Sequence, residues 1–315
     1  MKYSGIGGQA VLEGIMMKNR ERYAVAVRKP DGTIETKEDS YQSFADRHKW
    51  AGYPFIRGIF AFVDSLVLGI RTLMWSAELS EPAETDGKEK ETEKESAGKK
   101  GGKEEKGLTK GDTFFAVFLA IVLAVGIFMV LPTVLINFLG RWIESETVLA
   151  LLEGVLRVLI FIAYVAAVSC MKDIRRTYMY HGSEHKCINC IEHGLPLTVE
   201  NVMKSSKEHK RCGTSFLLIV MLISILVFMV VRVKVLPLKI LSRILLVPVI
   251  AGISSEVLRL TGRFDNKFVN IISRPGMWMQ ALTTKEPTED MVEVAIAAVE
   301  KVFDWQQFLK DNFEA

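Results

Sequence analysis

The chain of 315 residues lacks the features that mark several common classes of protein. Its net charge is only +3, and no basic stripe interleaved with aromatic residues occurs, so no nucleic-acid partner is expected. No Gly-Lys-Ser/Thr follows its glycine-rich segment, which excludes a phosphate-binding P-loop there. The first 20 residues are polar and glycine-rich, which is not the pattern of a cleavable signal peptide.

Charge is also missing from long stretches of the chain. About 20 apolar residues suffice to cross the hydrocarbon core of a bilayer, and segment 113–139 has no charged residue at all. Four apolar segments therefore predict four transmembrane helices, at residues 113–139, 148–170, 215–231 and 238–257.

Charged residues inside apolar segments are rare and therefore functional candidates. Glu153 and Arg157 are four residues apart, so on a helix they can neutralise each other. Glu256 lies near the end of the last predicted span. Asp64 lies in a further apolar segment, residues 51–77, where it forms a narrow polar stripe with Arg57 and Arg71. This segment is expected to lie in the membrane interface, to enter and return, or to line a bundle.

The polar segments complete the predicted organisation, a mainly α membrane protein. Strand-like alternation on both sides of Pro30-Asp31-Gly32 predicts a β-hairpin. Residues 171–214 carry eight Lys and Arg, which predicts that this loop and the C-terminus are cytoplasmic. The predicted parts are a soluble β-hairpin region (1–49), an amphipathic or re-entrant helix (50–78), a disordered charged linker (79–112), a four-span domain (113–257) and a cytoplasmic tail with a helix (258–315).

Histidine and cysteine are scarce, with five and four residues, yet all four Cys and four of the five His fall between residues 170 and 212. A cytoplasmic loop keeps its thiols reduced, so these residues suggest metal ligands, redox groups or core residues rather than disulfides. The spelling His181-x-x-Glu184-His185 would place two imidazoles on one face of a helix, where they can share a zinc ion. Glu184 would then be the general base toward a water molecule on the metal.

A second pattern competes with the first. Cys187-x-x-Cys190 followed by His209-x-x-Cys212 is the spelling of a closed structural zinc knuckle. A mixed site made of His181, His185, His209 and Cys212, and a hydrogen-bonded loop without metal, remain open. A dithiol redox pair at Cys187 and Cys190 would lack its usual βαβ context.

Five motifs, in this order along the chain, resemble the YqhQ-like family of bacterial membrane proteins, which have a domain of unknown function and are often labelled predicted metal-dependent enzymes. The motifs are GGQAVLEGIMM (7–17), YHGSEHK (180–186), LTVENV (197–202), RCGTSFL (211–217) and RPGMWMQALTTKEP (274–287).

The resemblance carries its motif positions onto His181, Glu184, His185, His209 and Cys212, with Gln9 and Glu13 from the first motif. The resemblance implies that members of the family more often have Thr at the position of Cys187. This difference favours the His–Glu–His site over the zinc knuckle. Gln9, Glu13 and Cys190 would then be outer hydrogen-bond partners of the metal ligands. In the alternative, Gln9 and Glu13 bond only the backbone of their own turn.

The leading prediction is a multi-pass protein of the bacterial inner membrane with a cytoplasm-facing site for zinc or another divalent metal. It would be a metal-dependent hydrolase acting on a peptide or lipid-linked substrate at the membrane surface. The alternative is a non-enzymatic adaptor or assembly factor with a structural metal, working with a membrane-protein partner or as a homo-oligomer in the lipid bilayer. The third is a small transporter or channel component that uses Asp64, Glu153, Arg157 and Glu256.

Overall fold

The computed structural model describes residues 2–80, 110–231, 233, 235–263 and 267–313. Most of the predicted linker therefore lies outside the described residues. Strands are β1 (Ile6–Val11), β2 (Gly14–Asn19), β3 (Arg22–Arg28) and β4 (Ile34–Ser40). Helices are α1 (Phe44–Arg47), α2 (Ile56–Ser80), α3 (Lys110–Val125), α4 (Leu131–Leu139), α5 (Glu146–Ser169), α6 (Lys172–Glu192), α7 (Val199–Lys204), α8 (Gly213–Val230), α9 (Leu236–Leu245), α10 (Val247–Arg263), α11 (Lys267–Thr283), α12 (Glu289–Val302) and α13 (Trp305–Phe313). A 3₁₀ turn covers Lys49–Gly52, and a π-helical turn covers Gly126–Val130.

The N-terminal region forms a four-stranded antiparallel meander rather than a single hairpin. The predicted hairpin is confirmed as the connection between β3 and β4, where Gly32 has a φ of 85° that only glycine adopts freely. The glycine-rich segment before it was expected to be a turn. It instead forms β1 and most of β2, because glycine is tolerated in a strand where another chain segment approaches closely.

Both faces of this sheet are buried, in keeping with the alternation of side chains along each strand. Ile15 and Met17 of β2 point into a core shared with α6 and α12. Met16, between them, points to the opposite face, where Leu68 of α2 packs. The sheet therefore lies between α2 on one side and α6 with α12 on the other.

Among the described residues, four helices are long and apolar enough to cross a membrane: Ile56–Ser80, Phe115–Leu139, Glu146–Ser169 and Gly213–Val230. The last three match predicted spans. The predicted span 238–257 is wrong as a single helix, because α9 and α10 are bent by 40° at their junction. Pro248, which lacks a backbone N–H, stands at the start of α10 and cannot continue the hydrogen-bonding of α9. Segment 51–77 instead provides most of a continuous helix of 25 residues, α2.

The polar stripe of α2 divides among three separate partners. Arg57 Nε donates to Glu256 Oε1 of α10 at 2.7 Å. Asp64 accepts from the hydroxyl of Tyr41 at 2.8 Å. Arg71 Nη2 reaches Asp39 of β4 at 3.2 Å, on the side covered by the sheet. The stripe therefore binds elements of the same chain.

The predicted pair within α5 forms, with Arg157 Nη2 3.1 Å from Glu153 Oε1. Two residues of α9 join it: Lys239 Nζ lies 3.2 Å from Glu153 Oε2, and Arg243 Nη2 lies 3.3 Å from the same oxygen. Arg157, Lys239 and Arg243 around Glu153 are called the cation cluster below.

Candidate metal site

Helix α6 carries the predicted His-x-x-Glu-His residues and runs unbroken through Gly182, although glycine is unfavourable in the interior of a helix. A Cβ atom at position 182 would lie 2.0 Å from the carbonyl oxygen of Lys285. Glycine therefore serves here to let the segment after α11 approach the helix. Because the helix is continuous, residues 181 and 185 lie on one face, one turn apart.

His181, His185 and Cys212 come together, and they are called the His/Cys cluster below. One ligand atom from each lies within 4.8 Å of the others. The two imidazole rings have centroids 4.5 Å apart, and Cys212 Sγ lies 3.2 Å from His181 Nε2. Cys212 caps the N-terminus of α8, so the cluster joins α6 to the start of an apolar helix.

Both imidazoles are oriented by backbone carbonyls. His181 Nδ1 lies 2.9 Å from the oxygen of Thr283, and His185 Nδ1 lies 2.7 Å from the oxygen of Lys207. Since a carbonyl only accepts, each Nδ1 carries the proton and each Nε2 keeps a free lone pair. Nε2 is therefore the atom that can bind a metal. A metal-binding histidine usually donates its other ring N–H, here Nδ1–H, to a nearby acceptor.

Burial favours the neutral forms of both His185 and Glu184. Burial lowers the pKa of His185, against the opposing effect of a hydrogen bond with Cys212. Burial raises the pKa of Glu184, opposed by the nearby His181 and by the N–H of Gly8. These side chains line a cavity of about 130 Å³, walled by the glycines at positions 7, 8 and 213.

His209 lies beside the cluster, with its ring centroid 5.8 Å from that of His185. Its Nε2 lies 3.4 Å from Glu192 Oε2 and does not join the three-residue group. Arg211 binds the other oxygen of Glu192, and Ser4 Oγ donates to it at 2.8 Å. Glu192 was missed by sequence reasoning, although its spacing of seven residues from His185 on α6 places it on the same helical face.

The structure does not assemble the closed knuckle. Cys187 and Cys190 are buried in the core between the sheet, α6 and α12, and neither belongs to the His/Cys cluster. Burial raises the pKa of Cys190 to about 11 and that of Cys187 well above its ordinary value. Both thiols therefore stay protonated, which suits core residues and disfavours ligand or redox roles. Cys170 is exposed at the end of α5.

The N-terminal motif reaches the cavity through a residue that was not singled out. A Cβ atom at Gly8 would lie 3.2 Å from Glu184 Cδ. Gln9 points the other way, against Gly69 of α2. Glu13, expected beside the metal, instead pairs with Arg176, more than one turn before His181 on α6.

Comparison with known proteins agrees with the motif resemblance. Residues 53–305 match the family described as "Protein of unknown function (DUF1385)". The chain is 32% identical, over 309 residues, to "Uncharacterized protein YqhQ" of Bacillus subtilis (strain 168), with 97% of this chain and 94% of that protein covered. No solved structure matches. The chain therefore belongs to the DUF1385 family, of which motifs such as His181-x-x-Glu184-His185 had given the first indication.

Proposed function

We propose that this membrane protein binds a divalent metal ion, zinc, through His181, His185 and Cys212. The observation that carries the proposal is that two imidazoles have Nδ1 fixed by backbone carbonyls and Nε2 beside one thiol. Two neutral imidazole nitrogens and a thiolate are ligands that zinc prefers. Three protein ligands also leave one tetrahedral position open, which is typical of catalytic zinc.

We propose hydrolysis as the chemistry, with Glu184 as the general base. A zinc ion held there would supply Lewis-acid chemistry and would lower the pKa of water at an open position to about 7. Glu184 lines the same cavity, where burial raises the pKa of its carboxyl, and it would accept the proton from water. The cavity of about 130 Å³ admits only the scissile part of a substrate. A peptide or lipid-linked substrate at the cytoplasmic face of the inner membrane fits this geometry.

The second candidate is a structural metal in an adaptor or assembly factor. It is favoured by the number of segments that converge on the cluster. Besides α6 and the start of α8, the carbonyls of Lys207 and Thr283 hold the imidazoles, so a bound ion would tie four parts of the chain together. Its partner would be another membrane protein or a second copy of this chain.

Transport has less support. Glu153 and Arg157 pair with each other, Glu256 pairs with Arg57, and Asp64 binds Tyr41. These charges therefore have local partners at separate places in the fold, rather than forming a series along one path.

Elemental analysis of detergent-purified protein tests the metal. We expect about one zinc per chain in the wild type and none above background in His185→Ala, which removes one of three ligands. His193→Ala is the matched control, because His193 is exposed at the end of the same helix, its Nδ1 lies 2.7 Å from the carbonyl oxygen of Asn189, and it does not belong to the His/Cys cluster. A wild type free of metal after purification without chelators, or equal metal content in the two variants, would overturn the proposal.

Glu184→Gln separates catalysis from structure. If Glu184 is the base, this variant keeps its metal and its thermal stability but loses hydrolysis of ester, amide or phosphodiester probes that the wild type cleaves. If the metal is structural, His185→Ala lowers the thermal midpoint while the wild type cleaves none of these probes.

A further inference from the structure

A second, larger cavity of about 430 Å³ opens at the end of α5 opposite to the His/Cys cluster. Its walls come from the connection between α4 and α5, the beginning of α5, the end of α8 and the helix α9. Leu149, Phe228 and Val231 supply apolar wall. The charged lining residues are Arg141, Glu144, Glu146, Lys239 and Arg243. Cys212 of the candidate metal site caps the start of α8, and Phe228 and Val231 of the cavity lie at its end, so the two sites lie at opposite ends of this 18-residue helix.

Positive charge is in excess behind this wall. The cation cluster holds three cations, Arg157, Lys239 and Arg243, around the single carboxylate of Glu153, which leaves a surplus of two positive charges. Glu153 also accepts a hydrogen bond from Thr133 at 2.9 Å, so its oxygens are fully engaged. Surplus charge among apolar helices is costly unless an anion accompanies it.

Arg243 has donor capacity that the described chain does not use. Its side chain is only 3% exposed and stacks over the ring of Phe228, with the guanidinium carbon 3.8 Å from the ring centroid. Among the residues that the structure describes, its Nη1 has no hydrogen-bond partner. A buried donor of this kind is normally satisfied, so an acceptor is expected beside it.

Two donor groups of Arg157 have hydrogen-bond partners elsewhere in the chain. This distinguishes Arg157 from Arg243 of α9. Arg157 Nε donates to the carbonyl oxygen of Phe128 at 2.9 Å, within the π-helical turn that frees carbonyls from the helical pattern. Its Nη1 lies 3.2 Å from the hydroxyl of Ser224. Arg157 therefore holds the cluster together, while Lys239 and Arg243 face the cavity.

The mouth of the cavity does not cancel this charge. Arg141, Glu144 and Glu146 lie there, and all three are exposed. Exposed charges are screened by water and salt, whereas the nearly buried Lys239 and Arg243 are screened much less. The potential deep in the cavity is therefore set by the two cations of α9.

We propose that this cavity binds a phosphate or phosphodiester group through Lys239 and Arg243. A guanidinium and an ammonium together match the charge and the oxygen geometry of such a group. The volume is far larger than a halide ion needs and falls within the usual range for small-molecule sites. The apolar wall would accommodate the carbon skeleton attached to the phosphate. An anionic lipid headgroup and free phosphate share this chemistry.

Thermal unfolding of the full chain in detergent tests the site, with dioleoyl phosphatidylglycerol, dioleoyl phosphatidylcholine and inorganic phosphate as probes. We expect phosphatidylglycerol to raise the midpoint of the wild type by roughly 3–6 °C, because a ligand that binds only the folded state stabilises it. The rise should vanish in Lys239→Gln. The matched control is Lys204→Gln, because Lys204 is exposed on α7 and should respond like the wild type.

The arms distinguish the sources of the anion. A shift with phosphatidylglycerol alone supports a lipid headgroup, and a shift with inorganic phosphate that Lys239→Gln abolishes supports free phosphate. Equal shifts with both lipids, or undiminished shifts in Lys239→Gln, would overturn the proposal. If Arg243→Gln folds, it serves as a second variant and should also lose the shift. If it does not fold, Lys239→Gln alone decides the test. Zinc content is expected to be unchanged in Lys239→Gln, so this test is independent of the proposed metal.

Discussion

The two buried polar clusters, one at the start of α8 and one beside its end, are stabilised in different ways. In the His/Cys cluster, backbone carbonyls fix both imidazoles. In the cation cluster, by contrast, one carboxylate is shared by three cations, and the side chains hold one another. The first arrangement leaves lone pairs free, and the second leaves donors free. The comparison therefore predicts a cation as the ligand of one cluster and an anion as the ligand of the other.

The largest loss of stability is expected at Glu153, because the three cations of the cation cluster share this one carboxylate. Glu153→Gln would leave the buried Arg157 and Arg243 and the partly buried Lys239 without their carboxylate and should lower the free energy of unfolding by about 3–5 kcal/mol. Thermal unfolding in detergent should show a midpoint lower by roughly 10 °C. Glu144→Gln, at the exposed mouth of the cavity, is the control and should change stability by less than about 0.5 kcal/mol. Similar losses in both variants would mean that the cation cluster is not a special point of stability.

The next effect tests whether backbone placement controls the His/Cys cluster. Gly182→Ala would put a Cβ atom 2.0 Å from the oxygen of Lys285 and should cost about 1–3 kcal/mol. The displaced segment includes the carbonyl of Thr283 that orients His181, so zinc content should fall as well. Gly126→Ala is the control, since no atom of the described residues outside its own stretch of helix lies within 4 Å of the added methyl group. Full stability and full zinc content in Gly182→Ala would contradict this reading.

Glu192 gives a test with a pH dependence. Burial alone would raise its pKa, but His209, Arg211 and the N–H of Ser4 hold the pKa below its ordinary value of 4.5. A carboxyl with a lowered pKa in the folded state contributes stability that is fully present above about pH 4.5 and is lost as the pH falls through the lower value.

Glu192→Gln should therefore be less stable than the wild type at pH 7 by about 1.5–3 kcal/mol. The difference should shrink as the pH falls below 4.5, as followed by thermal unfolding across a pH series. Glu200→Gln, on the exposed face of α7, should show no such gap. A gap that is constant down to pH 3 would show that some other property of the variant causes it.

The smallest effect is expected at Glu13. Its partner Arg176 is 47% exposed, and Glu13 itself is 30% exposed, so Glu13→Gln should cost less than about 1 kcal/mol. Zinc content should not change, because Glu13 pairs away from the His/Cys cluster. A loss of zinc in this variant would show that Glu13 supports the metal site after all.

Local patterns predicted the helices better than they predicted contacts. Uncharged segments such as 113–139 identified three of the membrane-length helices, and the spacing of His181 and His185 placed both on one face of α6. The bend between α9 and α10 was missed, although Pro248 was a visible signal for it. The meander was missed because glycine suppresses the apolar alternation by which strands are recognised.

The members of the candidate site were harder to predict than its helix. Cys212 was named among several alternatives, but its pairing with His181 depends on how α8 packs against α6, which spacing cannot reveal. The exclusion of Cys187 and Cys190 depends on the core beneath the sheet. Gly8 and Thr283 act through backbone atoms. Nearly every residue type has these atoms, so the sequence does not show which positions supply them.

The positions of Gly8 and Thr283 also set an order of events during synthesis. The wall beside Glu184 is made among the first residues, and the carbonyl that orients His181 is made only after α11. A nascent chain therefore carries His181 and His185 past the ribosome long before their environment exists. The described helices that are long and apolar enough to cross a membrane all precede residue 283 in the chain. The proposed ion would therefore be bound only after those helices are made, and a chain that terminates before residue 283 would lack the carbonyl that orients His181.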